Sequence, residues 1–403
     1  MKEKIYPKGT EKNAEEPQKN TKNTKKKRSF SRNLKLFVIH SKMDLPFMFL
    51  ALTLVTIGLI MMFSASYPNA YYLHHGDSFF FIRNQSIFAG IGITAMLIVS
   101  KINYEKLRTF VFPVLIISVI LLAAVLLMPP INGVRRWIQF GPIGFQPSEI
   151  TKFAIVVSFS HLITKNFNKM NTFKNGILPF LVILAPTAAL LLLEPHFSCT
   201  VIVLLLSAIM LYIGGVKLRY FLWVLIPMAI GVFVLITFTN YASSRISGWI
   251  DPFNAPAGVD TWQTRQGLYA IGSGGIFGLG LGNSHQKYLY IPEPQNDFIF
   301  AVVCEELGFF GAVIILILFA MLIWRGFVIA LRAKDRFGSL LGLGLIMQIG
   351  LQVILNIAVV TNTIPNTGIS LPFFSYGGTS LLMLLIQVGI ILSISRAARM
   401  EKS

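Results

Sequence analysis

Long apolar runs alternate with short polar intervals along most of the chain. Ten runs, at 45–66, 79–100, 109–128, 148–164, 177–193, 197–213, 220–238, 298–323, 337–360 and 380–395, approach or reach the roughly 17–25 helical residues needed to cross about 30 Å of hydrocarbon. They are continuously apolar. Strands of a membrane barrel would instead alternate over about ten residues. The pattern predicts an all-α polytopic membrane protein of about ten transmembrane helices, residues 43–403, preceded by a hydrophilic tail, residues 1–42. It also predicts one large loop, 240–297, between the seventh and eighth helices.

Composition agrees: 54% of residues are hydrophobic and 13% charged, against roughly 45–50% and 25% in a soluble domain. The net charge of +18 would suit a nucleic-acid binder, but half of it sits on the tail, where thirteen Lys and Arg face four Glu. Such a segment is expected to be disordered, since it holds too little apolar surface to offset its ordering entropy. With the tail placed in the cytoplasm, fifteen further Lys and Arg fall on the inner side and seven on the outer. That bias puts both termini in the cytoplasm, and it explains the basic charge without nucleic acid. Cys199 and Cys304 lie in apolar runs, with neither metal-ligand spacing nor a disulfide framework.

Outside the tail, nine acidic residues fall on the outer side and four on the inner. Acidic residues barely influence orientation, so this split points to a polar working surface facing outward. The 240–297 loop carries aromatic anchors (Trp249, Phe253, Trp262, Tyr269) and a glycine run, Gly272 to Gly282, which predicts order rather than a linker. The glycine run lacks the Lys-Ser/Thr and preceding strand of a phosphate loop. It reads as a close-packed turn or re-entrant segment. Position alone leaves Asp297 open as a helix N-cap before Phe298-Ile-Phe. Glu149 and Lys152, three residues apart, leave open an internal ion pair.

Eight ordered segments resemble the signatures of the SEDS family, the FtsW, RodA and SpoVE proteins of bacteria. They are Asn132-Gly-Val-Arg-Arg-Trp-Ile138, Phe145-Gln-Pro-Ser-Glu-Ile-Thr-Lys152, Glu194-Pro195, Trp262-Gln263, Ala270-Ile-Gly-Ser-Gly-Gly275, Pro292 to Phe300, Glu305-Glu-Leu-Gly308 and Leu371 to Ser380. The resemblance covers the chain from about Leu45 onward and is nearest the division and sporulation branch. One departure stands out: many relatives read Pro-Asp-x-Gly where this chain has Pro195-His196-Phe197-Ser198. No acid role passes to His196, which reads as structural or solvent-facing.

The resemblance implies a peptidoglycan glycosyltransferase that polymerises lipid II on the outer face of the bacterial cytoplasmic membrane, beside a class B penicillin-binding protein and other division or sporulation proteins. It implies that Asp297 is the essential carboxylate, drawing a proton from the attacking sugar hydroxyl as general base. Inversion at the anomeric carbon then needs no covalent intermediate. The developing charge on the lipid pyrophosphate calls for cations, and Arg135, Arg136, Lys152 and Arg245 are the candidates. Trp137 stacks on a sugar or anchors at the headgroups. Glu149, Glu194, Trp262, Gln263, Ser375 and Tyr376 complete the implied substrate-binding set. Glu305 and Glu306 either tune the site or pair with Lys or Arg. A divalent cation, Mg²⁺ or Mn²⁺, would suit pyrophosphate with carboxylates, although no dedicated ligand motif is visible. The competing readings are a lipid-linked precursor transporter, which would place its polar residues near the midplane, and a scaffold without catalysis.

Overall fold

The computed structural model describes residues 43–130, 133–140, 143–220, 247–255 and 261–398. The basic tail, the expected span beyond its first residue (221–238), Asp260 and Arg245 lie outside the described residues. What is described is built of α1 (Leu45–Leu73), α2 (Phe80–Val99), α3 (Leu107–Val125), α4 (Pro147–Asn166), α5 (Leu178–Leu193), α6 (Phe197–Ile213), α7 (Trp262–Ser273), α8 (Ile299–Leu331), α9 (Arg336–Val360) and α10 (Gly378–Ala398).

Helix boundaries follow local chemistry. Asp44 caps α1 by accepting from Phe47 N–H at 3.1 Å, and Asp335 caps α9 by accepting from Gly338 N–H at 3.3 Å, each satisfying a donor that the first turn leaves unpaired. Helix α1 continues beyond the expected stop at Ser66, through a buried Pro68, to Leu73. Proline interrupts one ladder hydrogen bond, and neighbouring helices can compensate.

Among the described residues, six helices are long and apolar enough to cross a membrane: α1, α2, the Tyr104–Val125 stretch that contains α3, α8, α9 and α10. Helices α5 and α6 are apolar but shorter. Helix α4 has 20 residues, yet its sequence is the polar exception, with Ser148, Glu149, Thr151, Lys152, Ser158 and Ser160 all buried. The reason is packing: α4 is enclosed by α3, α5, α6, α9 and α10, so its sides meet protein.

Two short elements interrupt the helical pattern. Strands β1 (Ile138–Phe140) and β2 (Ile143–Phe145) pair antiparallel, with Gln139 opposite Gly144. Within the expected 240–297 loop, twelve residues form α7, which buries Thr264, Gln266, Gly267 and Ala270 on one side and packs against α8. The glycine run after it is a close-packed turn. Gly278 (φ +81) and Gly308 (φ +66) meet so closely that a Cβ on Gly278 would lie 2.2 Å from Glu306 O. Only glycine tolerates both that conformation and that approach. Gly308 is also where α8 breaks its helical geometry.

Candidate functional site

A cavity of about 610 Å³ opens among α2, the hairpin, the first turns of α4, α6 and α10, and the segment leading into α8. Its wall brings together Arg136, Trp137, Glu149, Lys152, Asp297 and the Ser375–Tyr376 pair, seven residues that the sequence places in four separate segments.

Asp297 is half-buried on the irregular segment before α8. The N-cap position of α8 falls one residue later, on Phe298, which makes no side-chain cap. Gly368 (φ +71) lies against the acid: a Cβ there would stand 3.2 Å from Asp297 Oδ2. Lys152 Nζ donates to Glu149 Oε1 at 2.8 Å, both side chains almost wholly buried. The pair is thus an internal ion bridge and a part of the cavity wall at once. Pairing is what makes burial of two charges tolerable, and Glu149 Oε2 has no hydrogen-bond partner among the described residues.

Arg136 ties the hairpin to the α5–α6 turn, donating through Nε to Glu194 O at 3.4 Å and through Nη2 to Pro195 O. Trp137 packs across Gly144, whose carbonyl accepts from Thr379 Oγ1 at 3.5 Å. Tyr376 stacks edge-on against Phe81 at 4.9 Å, and burial raises its phenol above the ordinary range against a hydrogen bond with Asn84.

Other members of the expected set lie outside this wall. Arg135 donates to Leu126 O at 2.9 Å, at the end of α3. Glu194 is fully buried behind Arg136. Trp262 donates from Nε1 to Tyr290 O at 2.7 Å, and Gln263 from Nε2 to Pro292 O at 3.3 Å. Both brace the 290–296 segment from outside. Glu305 and Glu306 also sit away from the cavity. Glu305 accepts from Ser284 Oγ at 2.5 Å and His285 N–H at 2.9 Å; Glu306 pairs with Lys287 Nζ at 2.8 Å, both side chains fully buried. Of the two expected roles for Glu306, pairing is the one observed.

His196 is neither solvent-facing nor remote. It is buried in the cavity wall, its Nε2 3.5 Å from Gln146 Nε2. Burial, reinforced by the charges of Arg136 and Lys152, holds it well below the ordinary imidazole range, so the ring is neutral. Sequence reasoning also misses Gln146, Ser198, Gln352, Gly368 and Asn356. A lone Asn in an apolar run, as in Leu355-Asn356-Ile357, is the one available signal, because an amide at that depth needs partners. Among the described residues, no three His, Cys, Asp or Glu converge as metal ligands.

The family model described as Cell cycle protein, covering FtsW, RodA and SpoVE, matches residues 44–400. Stage V sporulation protein E of Bacillus subtilis (strain 168) is 40% identical over 360 residues, 88% of this chain and 98% of that one. The "Probable peptidoglycan glycosyltransferase FtsW" of Trichlorobacter lovleyi is 36% identical over 363 residues, 89% of this chain and 94% of that one. Among solved structures, one described as the structural coordination of polymerization and crosslinking by a peptidoglycan synthase complex superposes with TM-score 0.73 at 26% identity, covering 89% of this chain and 99% of the other. The rod shape determining protein RodA of Thermus thermophilus superposes with TM-score 0.64 at 27% identity, covering 88% and 97%.

Proposed function

The chain belongs to the FtsW/RodA/SpoVE family of cell cycle proteins, and from that premise we propose that it is a multi-pass membrane glycosyltransferase that polymerises lipid II into peptidoglycan. The observation that carries the reading is the position of Asp297: an acid just before a helix whose N-cap residue is Phe298, in the wall of a cavity that also holds Arg136 and the Glu149–Lys152 pair. The cavity's roughly 610 Å³ is in the range of small-molecule sites.

In this reading Asp297 accepts the proton of the acceptor sugar's 4-hydroxyl while its oxygen attacks the donor's anomeric carbon from the face opposite the lipid pyrophosphate. One C–O bond forms, the bond to the pyrophosphate oxygen breaks, and the proton stays on the carboxyl group. Positioned bases contribute about 10² to 10⁴ in rate. Arg136 and Lys152 supply positive charge for the leaving group, and Trp137 a face for a sugar ring. A divalent ion, with no three-residue ligand group among the described residues to hold it, would rely on substrate phosphate and water; no step depends on it.

The basic-residue bias supports ten spans with both termini in the cytoplasm, and hence a cavity facing outward from the bacterial inner membrane. The likeness to a peptidoglycan synthase complex supports a class B penicillin-binding protein as partner, and the sporulation and FtsW relatives support service in division or sporulation.

The test is Asp297→Asn, purified full-length and supplied with lipid II. Polymer formation is expected to fall by about 10² to 10⁴, while yield and melting temperature stay near wild type. Undiminished polymer would overturn the assignment. Lipid II translocation without polymer, in vesicles loaded on one side, would replace the enzyme by a carrier.

A further inference from the structure

Three successive backbone carbonyls lead into α8, and each receives a hydrogen bond from the elements that close the cavity. Tyr376 N–H donates to Gln295 O at 2.8 Å, Ser375 Oγ to Asn296 O at 2.7 Å, and Asn356 Nδ2 to Asp297 O at 2.8 Å. Asn356 is fully buried on α9. Its amide nitrogen has two hydrogens, and the second goes to Ile369 O at 2.6 Å. A single side chain therefore joins the residue carrying the acid to the strap that follows α9, next to Gly368. Ser375 is equally engaged, since its Oγ accepts from Leu371 N–H at 2.7 Å while donating to Asn296. The strap is itself fastened to the start of α6, where Ser198 Oγ donates to Thr367 O.

The segment so held has little structure of its own. Residues 292–298 are turns and bends, with Glu293 at φ +47, and the helix they enter begins without a side-chain cap. Its direction is set by what grips it from outside. We propose that Asn356 is a positioning residue for the polymerisation reaction: with Ser375 it fixes the backbone from Gln295 to Asp297, and with the side-chain-free Gly368 it sets how the carboxylate enters the cavity. The proposal rests on the reading of Asp297 as the base. Its physical basis is the steep dependence of proton transfer on geometry, where a misplacement of about 1 Å costs on the order of 10²-fold.

A purely structural Asn356, serving only to satisfy buried carbonyls, would lower stability and leave each folded molecule fully active. The discriminating measurement is steady-state polymerisation by the full-length protein with lipid II, normalised to the folded fraction. In Asn356→Leu, which keeps the volume and removes both donors, kcat is expected to fall about 100-fold, with KM for lipid II within about three-fold of wild type. Full kcat in the folded variant, or a rise in KM with kcat intact, overturns the proposal. If Asn356→Leu fails to accumulate, Ser375→Ala carries the same test from the loop. It is expected to lose about ten-fold in kcat at constant KM, and unchanged kcat overturns the clamp. The two failures are separable: an active Asp297→Asn removes the base, whereas an inactive Asp297→Asn beside fully active folded Asn356 and Ser375 variants removes only the clamp.

Discussion

Glu194 lies at the turn between α5 and α6, fully buried, with neither carboxyl oxygen hydrogen-bonded among the described residues. Burial pushes it from 4.5 up to about 8, against the pull of Arg136, so the folded protein holds it protonated at neutral pH. A raised acid binds its proton more tightly folded than unfolded. Its contribution to stability is complete below about 4.5 and gone once pH has risen through about 8, at about 1.4 kcal/mol per pH unit between. Melting temperature is therefore expected to decline from pH 5 to 8, and Glu194→Gln to flatten that decline; equal slopes in the two proteins would show that Glu194 does not titrate there. At this scale the sequence reveals groups whose chemistry is local. The i,i+3 spacing of Glu149 and Lys152 allows the bridge that is observed, and an acid at the mouth of an apolar run draws attention to Asp297. Asn356 and Gly368 are not legible in that way, because what they do depends on a strap from beyond α9 crossing the start of α8.

Between elements, the buried Lys287–Glu306 pair does what no single helix could. Lys287 Nζ also donates to Gly282 O at 2.6 Å and to Ser64 Oγ at 3.3 Å, so one ammonium links the glycine turn, α1 and α8. Removing one partner of such a pair strands the other without compensation. Lys287→Met is expected to destabilise by about 3–5 kcal/mol, and adding Glu306→Gln to recover most of that loss. Thermal unfolding of the single and double variants in detergent checks it, and simple additivity would mean the two are not coupled. The pairing is hidden from a linear reading because nineteen positions and a turn separate the partners. The helical nature of α7 is hidden for a related reason: its helix buries one narrow face on α8, so it lacks the continuous apolar length that marks the long spans.

For the molecule as a whole, apolar length finds the bundle but does not count its crossings, since a helix enclosed by protein has no need to be apolar. Orientation is a separate question, answered by charge bias, and it can be checked directly. With Cys199 and Cys304 replaced, single cysteines at His75 and Asn283 are expected to react with an impermeant maleimide in intact cells. Cysteines at Lys169 and Lys334 are expected to react only after permeabilisation. Labelling of all four from one side would reverse or break the proposed topology.

The enclosure of α4 bears on how the chain reaches its membrane. A segment carrying Glu149 and Lys152 in its first two turns and several hydroxyls beyond them partitions poorly into lipid by itself, because a charge adds about 2.5–3.5 kcal/mol to insertion at mid-depth and a smaller cost toward a helix end. During synthesis it must wait beside the translocation machinery, or enter together with α3, until α9 and α10, made last, arrive to surround it. The wall of the cavity is thus finished by the last helices to be made, and a ribosome that stops early releases a protein with its polar helix still unsheltered.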